Sequence, residues 1–374
     1  MQEKKGKVLV AMSGGVDSSV AAALLLEQGY EVTGAFMVNY AEEGQGTECW
    51  VPDYRDAVRV AAKLGIPLLK LDFTKEYREL VLDYMYREYN LGRTPNPDVM
   101  CNKFVKFGVW LDKARELGFD KLATGHYAKV GRGAWDVGRD KKILPVTRHS
   151  LLVPHDKDKD QTYFLHQLSQ DQLSHVLFPI GDYTKQEVRE LAKKFDLPTA
   201  EKEESMGICF VGEVPMKEFL KNKVEAKPGN IITPDGEFLG KHDGLPFYTI
   251  GQRNVGVESQ RSKVKSQKGD SKALFVVDKR VDTNELVVGF EDDPLLYKKE
   301  IEVSDIHWIS GQNPIFPLKC EVRMRHRQTM QNAECRMQNK KIIVEFEKPQ
   351  RAVTPGQFAV FYLNGECLGG AEIV

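Results

Sequence analysis

The residues best suited to chemistry near the start of the chain surround a glycine turn in VLVAMSGGVDSS, residues 8–19. Val8–Ala11 is a short apolar run typical of a buried parallel strand. Gly14 and Gly15 lack a Cβ, so they can turn the chain tightly. Asp17 then opens an apolar-periodic segment that predicts a helix. This order predicts a phosphate site, because backbone N–H groups and the positive end of the helix dipole converge there.

Two cysteines are candidate nucleophiles. Cys101 lies in the string NPDVMCN, just before a helix that the apolar spacing predicts from about Lys103. The positive end of that helix would favour the thiolate form. Asp98, three residues upstream, could act as a general base or orient a substrate. Cys209 lies in SMGICF after an acidic stretch. The alternative is that both are small buried side chains, which free cysteines often are.

The cysteine pattern argues against a structural zinc site and against a disulfide scaffold. The six are Cys49, Cys101, Cys209, Cys320, Cys335 and Cys367. None lies in a C-x-x-C pair, and six is few for a chain of 374 residues. A cytoplasmic protein with mostly reduced thiols is therefore expected.

The composition is that of an ordinary globular protein, with 41% hydrophobic and 29% charged residues. The net charge of −1 does not by itself indicate a nucleic-acid partner. No apolar run approaches the ~20 residues that a membrane span needs. The charged start MQEKKGK runs directly into a strand, so no signal peptide and no membrane partner are predicted.

The elements that must position the candidate residues alternate between strand and helix over the first 130 residues or so. The patterns predict strands at 8–11, 31–38, 67–72 and 121–124, and helices over 54–64, 75–91 and from about 103. This alternation predicts an α/β fold with a doubly wound parallel sheet. Ligands bind such sheets at the carboxyl ends of the strands, where the glycine turn, Met37, Gly125 and His126 fall.

The second half of the chain has a different texture. A mixed region includes the strand-like run 143–147 and a helix over 184–195 with its cap at Thr184. Short strand-like runs separated by Pro and Gly then predict a small, mainly β domain, with 245–253 among the strands. Alternating runs cut by turns predict a final β-barrel or sandwich. We therefore expect three domains, at 1–205, 206–290 and 291–374.

The string SGGVDS (13–18) resembles the pyrophosphatase loop of N-type ATP pyrophosphatases. It is not a Walker loop, because the chain has no G-x-x-x-x-G-K-[ST], and no G-x-G-x-x-G follows the strand. Enzymes of that class cleave ATP between the α and β phosphates and adenylate an oxygen, which leaves with AMP. The resemblance implies activation of a carbonyl-type oxygen and its replacement by a nucleophile.

Over nearly its whole length the chain resembles the tRNA-specific 2-thiouridylases. The matching strings, in order, are SGGVDS (13–18), FMVN (36–39), TPNPDVMCN (94–102), TGHYA (124–128), KDQTYFL (159–165), MGICFVG (206–212), FYTIGQR (247–253) and PGQFAVFY (355–362). This resemblance implies an ATP-pyrophosphatase catalytic domain at 1–205, a small central domain and a C-terminal β-barrel.

The resemblance also implies roles for individual residues. The positions that match ATP contacts are Ala11, Met12, Ser13, Gly14, Gly15, Val16, Asp17, Ser18, Met37 and Gly125. Those that match the segment meeting the target base are Asn96, Pro97 and Asp98. Cys101 matches the catalytic nucleophile, and Cys209 matches the cysteine that carries sulfur as a persulfide. The positions that match tRNA contacts are His126, Lys159, Asp160, Gln161, Arg325, His326 and Gln357.

The implied reaction is thiolation of a wobble uridine in tRNA, for the tRNAs of Lys, Glu and Gln. Adenylation turns the uridine 2-oxygen into a good leaving group, and Mg²⁺, held through ATP with Asp17 as the candidate ligand, neutralises the pyrophosphate. A persulfide on Cys209 supplies sulfur. Attack by Cys101 leaves a Cys101–Cys209 disulfide for an external reductant. The donor is a cysteine desulfurase or a sulfur-relay protein, and tRNA binding is expected to gate the loop motion that joins the two thiols.

Three features bear on RNA binding. The basic stretch 259–272 could contact phosphates or could be a solvated loop. Arg323, Arg325 and Arg327 alternate on a predicted strand, so we expect them on one face. His126, at a strand end, is either a ligand contact or a packed core histidine, and the first is preferred.

Two other classes of function remain open. An amidating ATP pyrophosphatase that uses ammonia would need no cysteine pair, so replacing both cysteines would spare its activity. A non-catalytic RNA-binding protein that uses ATP only as a conformational signal would release no pyrophosphate when given tRNA and ATP.

Overall fold

A computed structural model of the chain describes residues 5–40, 50–132, 149–203, 216–221, 223–253, 255–257, 264, 273–339 and 341–374. Cys209, the run 143–147 and all of the basic stretch 259–272 except Val264 lie outside these ranges. Within them, no helix has both the length and the apolar character needed to cross a bilayer.

The first part of the chain forms the predicted parallel sheet. Its five described strands are β1 (Lys7–Ala11), β2 (Glu31–Val38), β3 (Leu68–Asp72), β4 (Lys121–Ala123) and β7 (Val176–Leu177), in the order β3-β2-β1-β4-β7. Every neighbouring pair is parallel. Successive residues of β1 face opposite apolar clusters: Leu9 packs on one side of the sheet, and Val8 and Val10 pack on the other. Both faces are covered, which confirms the doubly wound arrangement.

Helices cover the two faces. On the face of Val8 and Val10 lie helix α1 (Val16–Glu27), the helix Val51–Leu64 and the helix Lys185–Lys194. The last begins at the predicted cap, because the Thr184 hydroxyl accepts from the N–H of Glu187 and the Glu187 carboxylate accepts in return. The opposite face is covered by two longer helical segments, 74–90 and 97–116.

Both longer segments contain wide π-type turns. The first runs through Thr74–Tyr77, Arg78–Leu82 and Asp83–Asn90, and the second through Pro97–Met100, Cys101–Val109 and Trp110–Glu116. The second begins six residues before the predicted start near Lys103. Asn96 caps it by accepting a hydrogen bond from the N–H of Val99, and Pro97 occupies the first helical position. Cys101 therefore lies inside the helix, so the prediction that it precedes the helix was wrong.

The middle of the chain forms a mixed four-stranded sheet, as its sequence texture predicts. The strands are β8 (Gly229–Ile232), β9 (Phe238–His242), β10 (Phe275–Arg280) and β11 (Glu285–Gly289), in the order β10-β11-β8-β9. The short helix Met216–Leu220 precedes them. The run 245–253 is not the predicted strand: it is a 3-10 turn at Leu245–Phe247 followed by turns, with one isolated bridge from Arg253 to Phe275. The proline near the start of this run and the glycine near its end favour turns over the hydrogen-bonded pairing of a strand.

The last part of the chain closes into a six-stranded barrel. Its strands are β12 (Tyr297–Trp308), β13 (Leu318–Arg323), β14 (Gln331–Gln338), β15 (Lys341–Arg351), β16 (Phe358–Leu363) and β17 (Glu366–Ile373). Their order is β12-β15-β14-β13-β16-β17, and β17 pairs back with β12. Closure removes the free sheet edges. The interior is a separate apolar cluster that includes Val322, Val344 and Phe361.

A hairpin from the first half of the chain extends the barrel sheet. Strands β5 (Lys129–Arg132) and β6 (His149–Leu152) pair with each other, and β6 pairs with β17. Beyond the hairpin come the 3-10 turn Lys157–Lys159 and the short helices Thr162–Leu165 and Gln170–Ser174. The first half of the chain is thus joined to the barrel by shared backbone hydrogen bonds.

A buried ion pair reinforces this junction and corrects the predicted arginine face. Strand β13 ends at Arg323, whose guanidinium lies 2.8 Å from the carboxylate of Asp160; their side chains are 9% and 1% exposed. Arg325 lies beyond the strand, and Arg327 has a left-handed φ of 63°. The three arginines therefore do not share a strand face.

We expect Arg323→Met to lower the free energy of unfolding by about 3–5 kcal/mol, because it leaves the Asp160 carboxylate buried without its counter-charge. The measurement is the urea-unfolding midpoint. Arg336→Met is the matched control, since Arg336 pairs with Glu345 on the exposed surface and should matter by about 0–1 kcal/mol. The double variant Arg323→Met with Asp160→Asn should recover part of the loss, and simple additivity would contradict the coupling.

Candidate functional site

The glycine turn forms the predicted cradle at the carboxyl end of β1. Gly15 is the N-cap of α1, and no described side chain caps the first N–H groups of this helix. The loop is braced from within: the N–H of Ser13 donates to the Ser18 hydroxyl at 3.2 Å, and that hydroxyl donates to the Gly15 carbonyl at 3.1 Å. The helix N-terminus is left able to bind an anion.

Two glycines are required for this geometry. Gly14 has a φ of 75°, and a Cβ there would lie 2.2 Å from the carbonyl oxygen of Asp53. Gly125, just after β4, comes so close that a Cβ would lie 2.7 Å from the backbone of Asp17 and Ser18. The structure thus brings Gly125 against the cradle loop, as the prediction for these two strand ends requires.

Asp17, in the first turn of α1, is held by two side chains that the sequence analysis did not single out. The Lys185 ammonium donates to its two carboxylate oxygens at 2.7 and 2.9 Å, and the Tyr127 hydroxyl donates at 3.1 Å. Only a third of the Asp17 side chain is exposed. This pairing fixes the carboxylate and brings a cation to the mouth of the cradle.

Lys202 places a second cation on the other side of the loop. Its ammonium donates to the Gly14 carbonyl at 3.0 Å and to the carboxylates of Asp53 and Asp56 at 2.8 and 2.6 Å. Burial alone would lower the pKa of Lys202, but the hydrogen bonds that it donates to the two carboxylates, together with their negative charges, outweigh burial and raise that pKa. Lys202 therefore stays charged beside the turn.

One sequence signal could have revealed Lys185. It occupies the first position of the helix Lys185–Lys194, where the helix dipole disfavours a cation. A lysine at that position needs a compensating carboxylate, and here Asp17 supplies it. Lys202 carries no comparable local signal, since its partners lie about 150 residues earlier in the chain.

Met37 and Cys101 lie in one buried apolar cluster on the face of the sheet opposite α1. Met37 belongs to the carboxyl half of β2, and both residues are almost wholly buried, at 4% and 1% exposure. The helical segment 97–116 leads into β4, so its start lies toward the carboxyl edge of the sheet, where the cradle also lies. Reaching the Cys101 sulfur from solvent requires a movement of its surroundings.

The segment before Cys101 is tied to the barrel. Asn96 donates to the side-chain oxygen of Gln357 at 3.4 Å, and Gln357 donates to the carbonyls of Thr94 and Pro95 at 2.8 and 3.2 Å. The Asp98 carbonyl accepts a hydrogen bond from Asn102 at 3.0 Å. The structure therefore brings together Asn96, Pro97, Asp98, Cys101 and Gln357.

Several predicted RNA contacts are engaged in interior interactions. The carboxylate of Asp160 binds Arg323, and the side-chain oxygen of Gln161 accepts the N–H of Tyr127 at 2.8 Å. His126 packs against Phe107 and Phe178 and shares a hydrogen bond of 2.7 Å with Thr124. Burial, helped by the charge of Lys106, holds the pKa of His126 well below its ordinary value. These contacts are those of a packed neutral histidine.

The remaining predicted RNA contacts lie nearer the surface. Arg325 donates to the carbonyl of Ala352 and to the Thr354 hydroxyl. The ring centroids of His326 and Phe164 lie 4.5 Å apart, with the rings tilted by 40°. Burial, and then the charges of neighbouring arginines, lower the pKa of His326 to about 4. Lys159 ends the 3-10 turn that leads to Asp160.

Among the described residues, no group of three or more His, Cys, Asp or Glu side chains is placed to hold a metal ion. Cys320 and Cys335 lie 3.7 Å apart between their sulfur atoms inside the barrel, away from the cradle. Asp17 remains the candidate for a metal ion that is bound mainly by phosphate oxygens, as Mg²⁺ commonly is.

Comparison with known proteins agrees with this architecture. Three family models match, described as the tRNA methyl transferase HUP domain at residues 6–213, the tRNA methyl transferase PRC-barrel domain at 217–290 and the aminomethyltransferase beta-barrel domain at 298–373. A solved 4-thiouridine synthetase–RNA complex with bound ATP aligns with 59% of this chain and 50% of its own, at 20% identity and a TM-score of 0.35.

The fold and the cradle define a protein with a HUP domain that carries the glycine turn, followed by a PRC-barrel-like domain and a closed six-stranded barrel. The tRNA-specific 2-thiouridylases MnmA of Streptococcus mutans and Streptococcus sanguinis are 46% and 45% identical to this chain, over 99% of its length and 95% of theirs. The chain belongs to the tRNA-specific 2-thiouridylase family.

Proposed function

We propose that this protein is a tRNA-uridine 2-sulfurtransferase that adenylates the 2-oxygen of a wobble uridine and replaces it with sulfur. The observation that carries the proposal is the match over 99% of the chain to curated tRNA-specific 2-thiouridylases. The phosphate cradle supports it, because a methyl transfer would need no such site, whereas an adenylation does. We place the catalytic domain at 1–205 and the β domains at 206–290 and 291–374, in a cytoplasmic protein.

The cradle residues bind and orient ATP. Backbone N–H groups at the start of α1 donate hydrogen bonds to phosphate oxygens. Gly14 and Gly125 let the phosphates come close to the backbone. We assign Met37, in the carboxyl half of β2, as a further ATP contact. Asp17 is the side chain that would hold Mg²⁺ through ATP, and the ion would neutralise the departing pyrophosphate. Lys185, which forms an ion pair with Asp17, supplies a positive charge beside the same phosphates.

Adenylation joins the uridine 2-oxygen to the α-phosphorus while the bond to pyrophosphate breaks. The terminal sulfur of a Cys209 persulfide then bonds to C2, and AMP leaves with the former uridine oxygen. The Cys101 thiolate attacks the inner sulfur of Cys209, and the persulfide bond breaks with its electron pair on the sulfur kept by the base. The Cys101–Cys209 disulfide that forms is returned to two thiols by a two-electron thiol reductant.

The segment 96–98 meets the flipped base. Anticodon-loop bases are unstacked and can be turned into a pocket, and Asp98 lies one helical turn before Cys101. Lys159, Arg325 and His326, which flank the junction with the barrel, are the candidates for contacts to the remaining tRNA. We infer the tRNAs of Lys, Glu and Gln as substrates, and a cysteine desulfurase or a sulfur-relay protein as donor.

The test is nucleoside mass analysis of tRNA after incubation with the protein, ATP, Mg²⁺ and a cysteine desulfurase with cysteine. We expect 2-thiouridine together with AMP and pyrophosphate, and no product when ATP is left out. Pyrophosphate release without any sulfur-containing nucleoside would contradict the proposal and favour an amidating enzyme. Absence of tRNA-dependent pyrophosphate release would favour a non-catalytic RNA-binding protein.

We expect Lys185→Met to lower kcat/KM for ATP by about 10²-fold, the usual effect of removing one charge-stabilising donor. The substitution also leaves Asp17 without its ammonium partner beside the phosphates. The measurement is tRNA-dependent pyrophosphate release as a function of ATP concentration. Lys193→Met on the same helix is the matched control, because Lys193 pairs only with the exposed Glu201 among the described residues. Equal ATP dependence in the two variants would contradict the role.

A further inference from the structure

The turn between β15 and β16 in the C-terminal barrel is hydrogen-bonded to the loop that precedes the helical segment 97–116, which contains Cys101. The amide of Gln357 donates to the carbonyls of Thr94 and Pro95, and its oxygen accepts from Asn96. In the reverse direction, the N–H of Thr94 donates to the Pro355 carbonyl at 3.0 Å. All three described hydrogen bonds of this glutamine side chain therefore go to the loop.

A second contact lies beside the first. Arg93 reaches Glu372 of β17 at 3.3 Å and Glu88 of its own helical segment at 3.2 Å. The Glu88 and Glu372 side chains are 7% and 14% exposed, whereas that of Arg93 is 42% exposed, so solvent reaches the pair from the arginine side. The barrel turn is seated directly on the loop, since a Cβ at Gly356 would lie 3.0 Å from Arg93 and Thr94.

The loop that the barrel holds also positions the first turn of the helical segment 97–116. Asn96, which touches Gln357 with its amide nitrogen, caps the helix with its oxygen through the N–H of Val99. The first helical turn carries Asp98, and Asn102 in the following turn binds the Asp98 carbonyl. Cys101 lies between them with 1% of its surface exposed. If Gln357 moved, Asn96 would move with it. Because Asn96 caps the helix, Asp98 and Cys101 would then move as well.

We propose that Gln357, Arg93 and Glu372 are positioning residues through which the C-terminal barrel fixes the Asp98–Cys101 turn and keeps the Cys101 sulfur buried. The functional importance of the turn rests on the proposed role of Cys101 as nucleophile. Because the amide nitrogen of Gln357 donates both of its N–H groups to the loop, a tRNA group that accepts a hydrogen bond from this glutamine must compete with the loop for it. Binding of tRNA to the barrel would therefore change the exposure of the Cys101 sulfur.

The test is the alkylation rate of individual cysteines by iodoacetamide in the full-length protein, without ATP or tRNA, followed by peptide mass spectrometry. We expect Gln357→Ala to raise the rate at Cys101 about fivefold or more, since lost hydrogen bonds of this kind favour local opening. Cys367, a fully buried cysteine of β17, should be unaffected. Gln350→Ala is the matched control, because the Gln350 amide binds within its own barrel.

A second pair of variants tests the ionic contact. Glu372→Gln should also raise the Cys101 rate, whereas Glu302→Gln, which removes an exposed barrel carboxylate paired with Lys341, should not. An unchanged Cys101 rate in Gln357→Ala and Glu372→Gln, or an equal rise at Cys101 and Cys367, would overturn the proposal. The assay contains no sulfur transfer, so its outcome is separate from that of the nucleoside assay, which alone decides the proposed function.

Discussion

Cys209→Ala is expected to abolish 2-thiouridine formation while tRNA-dependent pyrophosphate release continues for the first turnover. Alanine cannot carry a persulfide, so no sulfur is delivered to the adenylated base, and we expect a loss of at least about 10³-fold. Cys101→Ala should give a loss of the same order, because sulfur is not released from Cys209. Nucleoside mass analysis and a single-turnover pyrophosphate assay measure the two steps separately.

The matched control for these variants is Cys320→Ala, which removes a buried cysteine of the barrel that contacts Cys335. It should retain the ability to form 2-thiouridine. Product formation by Cys209→Ala at the control level would refute the persulfide role. A double variant that still converts uridine to an aminated base would instead identify ammonia as the nucleophile.

Gly14→Ala is expected to lower kcat/KM for ATP by more than about 10²-fold, because it misplaces the donors of the cradle. The added Cβ would lie 2.2 Å from the Asp53 carbonyl oxygen, so the turn must shift. Residue 14 also has a left-handed φ of 75°, which disfavours alanine. Pyrophosphate release as a function of ATP concentration measures the effect, and circular dichroism checks that the variant is folded.

Gly29→Ala separates the effect of the left-handed φ from the effect of the close contact with Asp53. Gly29 also has a left-handed φ, 87°, but a Cβ there would meet nothing within 4 Å. It should cost about 1 kcal/mol of stability and leave the ATP dependence unchanged. If Gly14→Ala behaves like Gly29→Ala, the close approach of the turn to Asp53 does not matter for ATP binding.

Much of the first half of the fold could be predicted because its signals are local. The apolar run of β1, the glycine turn and the Thr184 cap each depend on neighbouring residues, and the structure confirms all three elements. The start of the helix at Pro97 was missed, although Asn96 followed by Pro97 is a typical N-cap and first helical residue. The apolar spacing alone favoured Lys103, since the wide turns shift the periodicity of this segment.

The predicted arginine face shows where local patterns stop being informative. Alternation at 323, 325 and 327 indicates a strand, but it does not show that β13 ends at Arg323 or that Asp160, far away in the sequence, draws this arginine into the interior. The same holds for His126, whose aromatic neighbours Phe107 and Phe178 come from separate segments. Burial of a polar side chain depends on such distant partners.

By itself the sequence determined the parallel sheet and the glycine turn at its edge, because short-range patterns encode strands, turns and helix starts. The family came from the resemblance of its ordered motifs to those of known proteins. Only the tertiary structure decided that Lys185 and Lys202 flank the cradle, that Cys101 is buried within a helix and that the barrel holds the loop before it. Each of these depends on contacts between residues that are distant in the chain, and no local spacing specifies which of them meet.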